Sequence, residues 1–122
     1  MMEKTDNNKP IFFEEFNVNE SLTINKEDIV NQVKEVFDPE IPVNIYDLGL
    51  IYEIKIDAEK NVEIKMTLTS PNCPVAESLP QEVSQKIKNL KGMKSLAVYL
   101  TFDPPWDQNM MSEDAKLALD IS

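Results

Sequence analysis

From Val62 to Thr69, apolar and polar residues alternate without a break: Val62, Ile64, Met66 and Leu68 against Glu63, Lys65, Thr67 and Thr69. A period of two sends successive side chains to opposite faces, so this segment is a half-buried strand and not a helix. Leu50 to Ile56 carries a related pattern, with Tyr52, Ile54 and Ile56 on one face. The turn Ala58-Glu59-Lys60-Asn61 between them is too short for anything but an antiparallel hairpin. The rest of the chain must cover that hairpin's apolar face.

Ile29, Val33, Val36 and Phe37 recur at helical spacing behind a cap at Thr23 or Asn25, and Glu27 and Asp28 suit the positive end of a helix. Pro39 stops this helix by pushing Asp38 out of the helical region. A second helix is predicted to run to about Leu90, with Ala76, Leu79, Val83, Ile87 and Leu90 on one stripe. Pro80 within it marks either a kink or a late start, and Gly92 lies just past its end. Leu96 to Phe102 reads as a third strand, and Ser112 caps a last short helix. Between the first helix and the hairpin, Asp38 to Gly49 reads as a proline-stiffened loop, with Gly49 suited to a positive φ.

The predicted order is α-β-β-α-β-α. It implies an α/β fold of the two-layer, α+β-like kind, with a small mixed three-stranded sheet and helices on one face. Residues 1–24 read as an N-terminal arm and residues 25–122 as the domain. The arm is either a disordered tail or a docking segment, because its aromatic patch Phe12, Phe13 and Phe16 is costly to leave in water.

Charge narrows the function. The net charge is −10, and all of the 12 basic residues are lysines. Nucleic-acid binding by phosphate neutralisation needs clustered Lys and Arg, so nucleic acid and an anionic membrane surface are poor partners. The first residues carry acids and no long apolar stretch, and no apolar run approaches the roughly 20 residues of a membrane span. A single Cys excludes an intrachain disulfide, and a reducing, cytoplasmic setting is expected. With no His, a Ser-His-Asp triad, a Cys-His pair and a His-ligated zinc site are all impossible within the chain.

Cys73 is the leading chemical candidate. It sits at a strand-to-helix junction with Pro74 suited to the first helical position, where backbone N–H groups and the helix dipole favour a thiolate. Such a thiolate ligates a soft metal or attacks an electrophile; the alternative is an inert, buried small hydrophobe. One thiolate is not a complete site, since clusters and structural zinc take about four ligands. A symmetric homodimer presenting two Cys73 is the simplest way to supply a second. Asp38, Glu40 and Asp47 form an acidic loop that either meets Cys73 or merely caps turns and meets solvent. Thr69 and Ser70 place hydroxyls beside Cys73 or satisfy local backbone groups. In Asp103-Pro104-Pro105-Trp106, the Trp either anchors a partner or covers the edge of the core.

These segments together resemble a known family. Asp38-Pro39-Glu40-Ile41-Pro42 with Asp47-Leu48-Gly49-Leu50 resembles the opening motif of the SufT/PaaD-like family of metal–sulfur cluster biosynthesis proteins. Thr69-Ser70-Pro71-Asn72-Cys73-Pro74 is similar to its cysteine loop, and Asp103-Pro104-Pro105-Trp106 to its third motif. Ser70 stands where the family usually has Thr, and Asn72 where Gly is common. The resemblance implies an iron–sulfur assembly domain-like fold and an accessory role in iron–sulfur cluster assembly alongside the SUF machinery. Its implied site is Cys73 as cluster or iron ligand or transfer thiol, with Asp38, Glu40, Thr69 and Ser70 around it. The implied cargo is a transient cluster or iron, and the implied partners are the assembly machinery and recipient apo-proteins. Two other readings stand beside this one. The first is a cofactor-free adaptor that targets cluster donors to recipient proteins, using the acidic loop, including Asp47, with Trp106 and the Phe12–Phe16 patch. The second is a thiol enzyme, which would have to rely on Glu40 as base.

Overall fold

The hairpin forms as the alternation requires. In the computed structural model, which describes residues 10–16, 23–38, 42–69 and 78–119, strand β2 (Ile51–Ile56) pairs antiparallel with β3 (Asn61–Met66). Val62, Ile64 and Met66 are fully buried, and Leu68 beyond the strand is 2% exposed. The turn is held by Asp57, whose carboxylate accepts the N–H groups of Glu59 and Asn61, each at 2.9 Å. Asn61 Nδ2 donates to the other carboxylate oxygen at 3.0 Å. These bonds offset the left-handed backbone of Lys60 (φ 70°), which a non-glycine residue adopts only at some cost.

Helix α3 (Ser78–Lys88) connects β3 to β4 (Ser95–Leu100), and the two strands are parallel neighbours. Pro80 falls in the first turn of α3, where no backbone N–H is required of it. Helix α1 (Lys26–Val33) is capped by Asn25, whose side chain accepts the Asp28 N–H at 2.9 Å. Ile29 and Val33 of α1, and Leu79, Val83 and Ile87 of α3, close over Val62, Ile64, Leu96 and Val98, none more than 1% exposed. Burial of each such side chain is worth about 1.5–3 kcal/mol relative to exposure. This is the two-layer arrangement expected, with the helices on one face.

The sheet differs from expectation in having four strands, in the order β1-β4-β3-β2. The added strand, β1 (Phe12–Glu15), comes from the segment read as an arm and pairs antiparallel with β4. Once paired, its residues alternate between the half-buried and the exposed face. Phe12 packs against the core with the Lys88 ammonium 5.9 Å from its ring centre, and Glu14 meets the same ammonium at 3.0 Å, while Phe13 points outward. Residues 1–9 and 17–22 of that segment lie outside the described residues.

Two further differences concern the loop before the hairpin. Helix α1 ends at Val33 rather than near Phe37, because Phe37 leaves it to bridge Asn44 and the Val36 carbonyl accepts the Ile45 N–H at 2.9 Å. The loop itself contains a one-turn helix, α2 (Ile45–Leu48). The C-terminal segment carries a 3-10 turn (Gln108–Met110) and helix α4 (Glu113–Ala118), capped by Ser112 as predicted. No helix among the described residues is long and apolar enough to cross a membrane.

Candidate functional site

Strands β3 and β4 are parallel, so their C-terminal ends lie at the same end of the sheet. In sheets with parallel strands, that end is where ligand-handling loops gather. Beyond β3 the chain continues through Thr67 and Leu68 to Thr69, and beyond β4 it enters Asp103-Pro104-Pro105-Trp106. The Thr101 N–H donates to the Met66 carbonyl at 2.9 Å and holds the two exits side by side.

The proline-stiffened loop is brought to the same place. The Phe37–Asn44 bridge closes it at the base, and Asp38, just inside the bridge, is only 7% exposed. Asn44 caps α2 by accepting the Asp47 N–H at 2.9 Å, and its amide donates to the Asp47 carboxylate at 2.9 Å. Gly49 then reverses the chain with φ 86°, a conformation that favours glycine. The Leu50 carbonyl accepts the Thr67 N–H at 2.8 Å, which ties this loop to the exit of β3.

The third segment folds back over the first. The Trp106 Nε1–H donates to the Leu48 carbonyl at 2.6 Å, and the Ser112 N–H to the Asp47 carbonyl at 2.8 Å. The Tyr52 hydroxyl donates to the Pro104 carbonyl at 2.7 Å. Burial, joined by the nearby Asp107 charge and opposed by a hydrogen bond from Thr67, pushes the Tyr52 phenol above its ordinary value of 10.0, so it stays a neutral donor. A groove lined by Gly49, Tyr52, Asp103 and Met110 opens beside these contacts.

Of the residues singled out from the sequence, Thr69 stands half-buried at the β3 exit, and Asp38 is buried at the base of the loop. Asp47 and Trp106 are brought together through α2. Both are engaged internally, Asp47 with Asn44 and Ser112, and Trp106 with Leu48 and the core. Glu40, Ser70 and Cys73 lie outside the described residues. Among the described residues, no group of three or more Asp, Glu or Cys side chains is placed to hold a metal ion. Tyr52 and Asn44 were missed as site-building residues. The Asn44-x-x-Asp47 spacing followed by Gly49 was a readable cap signal, whereas nothing local pointed from Tyr52 to Pro104.

Comparison with known proteins agrees with this fold. A family model described as iron–sulfur cluster assembly protein matches residues 26–100. The chain is 47% identical over 102 residues to an Fe-S protein maturation auxiliary factor of Porphyromonas gingivalis, covering 84% of this chain and 97% of that one. It is 36% identical over 87 residues to the Fe-S protein maturation auxiliary factor SufT of Staphylococcus aureus, covering 71% and 99%. The crystal structure of a domain of unknown function, DUF59, from Bacillus anthracis aligns with TM-score 0.73 and 34% identity over 80% of this chain and 92% of that one. The matched residues run from the start of α1 to the end of β4 and include the loop, the β3 exit and α3, and the chain belongs to the iron–sulfur cluster assembly protein family.

Proposed function

We propose that this chain is an accessory factor in the maturation of iron–sulfur proteins, acting in the cytoplasm, with the cluster as cargo and Cys73 as the thiol that holds or passes it on. The observation that carries this reading is the convergence of three segments at one end of the sheet. The Leu50–Thr67 bond joins the acidic loop to the strand that leads to Cys73, and the Trp106–Leu48 bond joins the third motif to that loop.

The donor set fits cargo rather than a resident group. The chain offers one soft thiol, hard carboxylates and hydroxyls, and no imidazole. One thiol fills one of about four cluster positions, so the donor protein, the recipient or a second copy supplies the others. Asp38 and Glu40 would shape the pocket or serve as weak ligands, and Thr69 and Ser70 would donate hydrogen bonds to thiolate or sulfide. The partners in this reading are the assembly machinery and recipient apo-proteins. The names of the similar proteins, Fe-S protein maturation auxiliary factors, support the role.

Anaerobic reconstitution with iron and sulfide tests it, comparing wild type with Cys73→Ser. Visible absorption with bound iron in the wild type alone supports Cys73 as the ligand. Equal iron in both folded proteins, or none in either, removes Cys73 from that role.

A further inference from the structure

The face of the sheet opposite α1 and α3 carries a second feature, away from the end where the three segments converge. Paired positions share a face, and the registers align Phe13, Ala97, Glu63 and Lys55 in one row across all four strands. Glu15, Ser95 and Asn61 form the row on one side of it, and Tyr99, Lys65 and Glu53 the row on the other. The β2–β3 half of this face is self-neutralised, since Lys55 and Lys65 both stand 3.8 Å from Glu53.

The β1–β4 half is different. Two small residues, Ala97 and Ser95, floor a notch, and Ala97 is only 4% exposed although no described helix covers it. Phe13, 56% exposed, and Tyr99 wall the notch, and Glu15 and Glu63 stand at its rim. Among the described residues, Glu15 and Glu63 make no ion pair, while Lys94 at the margin is drawn to Glu59 at 3.6 Å. The charge of Glu63 reaches the Tyr99 phenol, whose pKa is raised first by burial and then by that carboxylate.

Aromatic walls around a small floor, with carboxylates at the rim, complement a long aliphatic stem that ends in a positive charge. We propose that this notch docks a lysine or arginine side chain presented by a partner protein. Charge decides between this occupant and a second copy: a chain of net charge −10 repels its own kind and attracts a basic surface. The notch shares no residue with the cluster-handling reading and stands or falls separately from it.

The test is titration of the isotope-labelled chain with acetyl-Ala-Ala-Arg-Ala-Ala-amide, followed by amide NMR shifts, beside the same peptide carrying norleucine or glutamate in place of Arg. The arginine peptide is expected to shift the amides of Phe13, Glu63, Ala97 and Tyr99 saturably, the other two to do so far more weakly, and added salt to reduce the effect. Glu63→Gln, an exposed substitution that leaves the core alone, is expected to weaken the arginine peptide about threefold. Equal binding of the norleucine peptide, shifts confined to other surfaces, or no response to Glu63→Gln would overturn the proposal. A dimer in sedimentation that Phe13→Ser returns to monomer would assign the face to a second copy and overturn it as well.

Discussion

Gly49 and Met110 are packed so closely that no side chain fits between them: a Cβ on Gly49 would overlap the Met110 carbonyl oxygen and lie 2.8 Å from its carbon. The contact joins the turn that ends α2 to the C-terminal segment, across 61 positions, from 110 minus 49. It completes a clasp made by Trp106 on Leu48, Ser112 on Asp47 and Tyr52 on Pro104. Through it, residues beyond the family-matched stretch of 26–100 fix the loop that carries Asp38.

Gly49→Ala meets two obstacles at once, a φ of 86° and the Met110 backbone, which cannot swing aside as a flexible side chain would. The expected cost is about 2 kcal/mol or more, read as a lower urea midpoint. The unfolding slope should be unchanged if the rest of the fold survives. An unchanged midpoint would mean that the clasp does not hold the turn.

Trp106→Phe keeps most of the ring and removes the Nε1–H that the Leu48 carbonyl accepts. Losing one partner of a part-buried hydrogen bond costs about 1 kcal/mol, so a stability loss near that size is expected. Faster hydrogen exchange of the Gly49 and Leu50 amides, which close the α2 turn on Tyr46 and Ile45, should accompany it. A loss of stability without faster exchange there would place the effect in general packing and not in the clasp.

The hairpin turn has an acid sensitivity of its own. Hydrogen bonds from the Asn61 side chain, then from the backbone of Asn61 and Glu59, hold the Asp57 carboxyl below its ordinary value of 3.8. A carboxyl with a depressed folded pKa stabilises the fold above its unfolded value, and that contribution is lost as pH falls through the folded one. Carboxyl NMR titration should therefore find Asp57 below 3.8, and Asp57→Ala should remove this acid-side loss while weakening the turn at neutral pH. A titration at or above the ordinary value would contradict the assignment.

The parts of the fold legible in the sequence were those with a local period. The alternation of Val62 to Leu68 marked the buried face of the hairpin, and the stripe Leu79, Val83, Ile87 marked the buried face of α3. Strand β1 was not legible because its partner in β4 lies some 80 residues away, and a run such as Phe12-Phe13-Glu14-Glu15 shows no alternation until that partner defines its faces. Helix α2, at four residues, is shorter than any helical period can reveal, although its cap residues were visible. At the site, the three motifs could be read singly, and what brought them together could not. The Leu50–Thr67 and Trp106–Leu48 bonds depend on where α1, the sheet and the C-terminal segment pack.

In the proposed role, the convergence of these segments serves passage of a cluster through Cys73. The most direct test is anaerobic transfer from a cluster-loaded scaffold protein to an apo-ferredoxin, followed by visible circular dichroism, without the chain, with wild type and with Cys73→Ser. Faster transfer with wild type and a return to the unassisted rate with Cys73→Ser are expected, both proteins being folded. Equal acceleration by wild type and Cys73→Ser would contradict it.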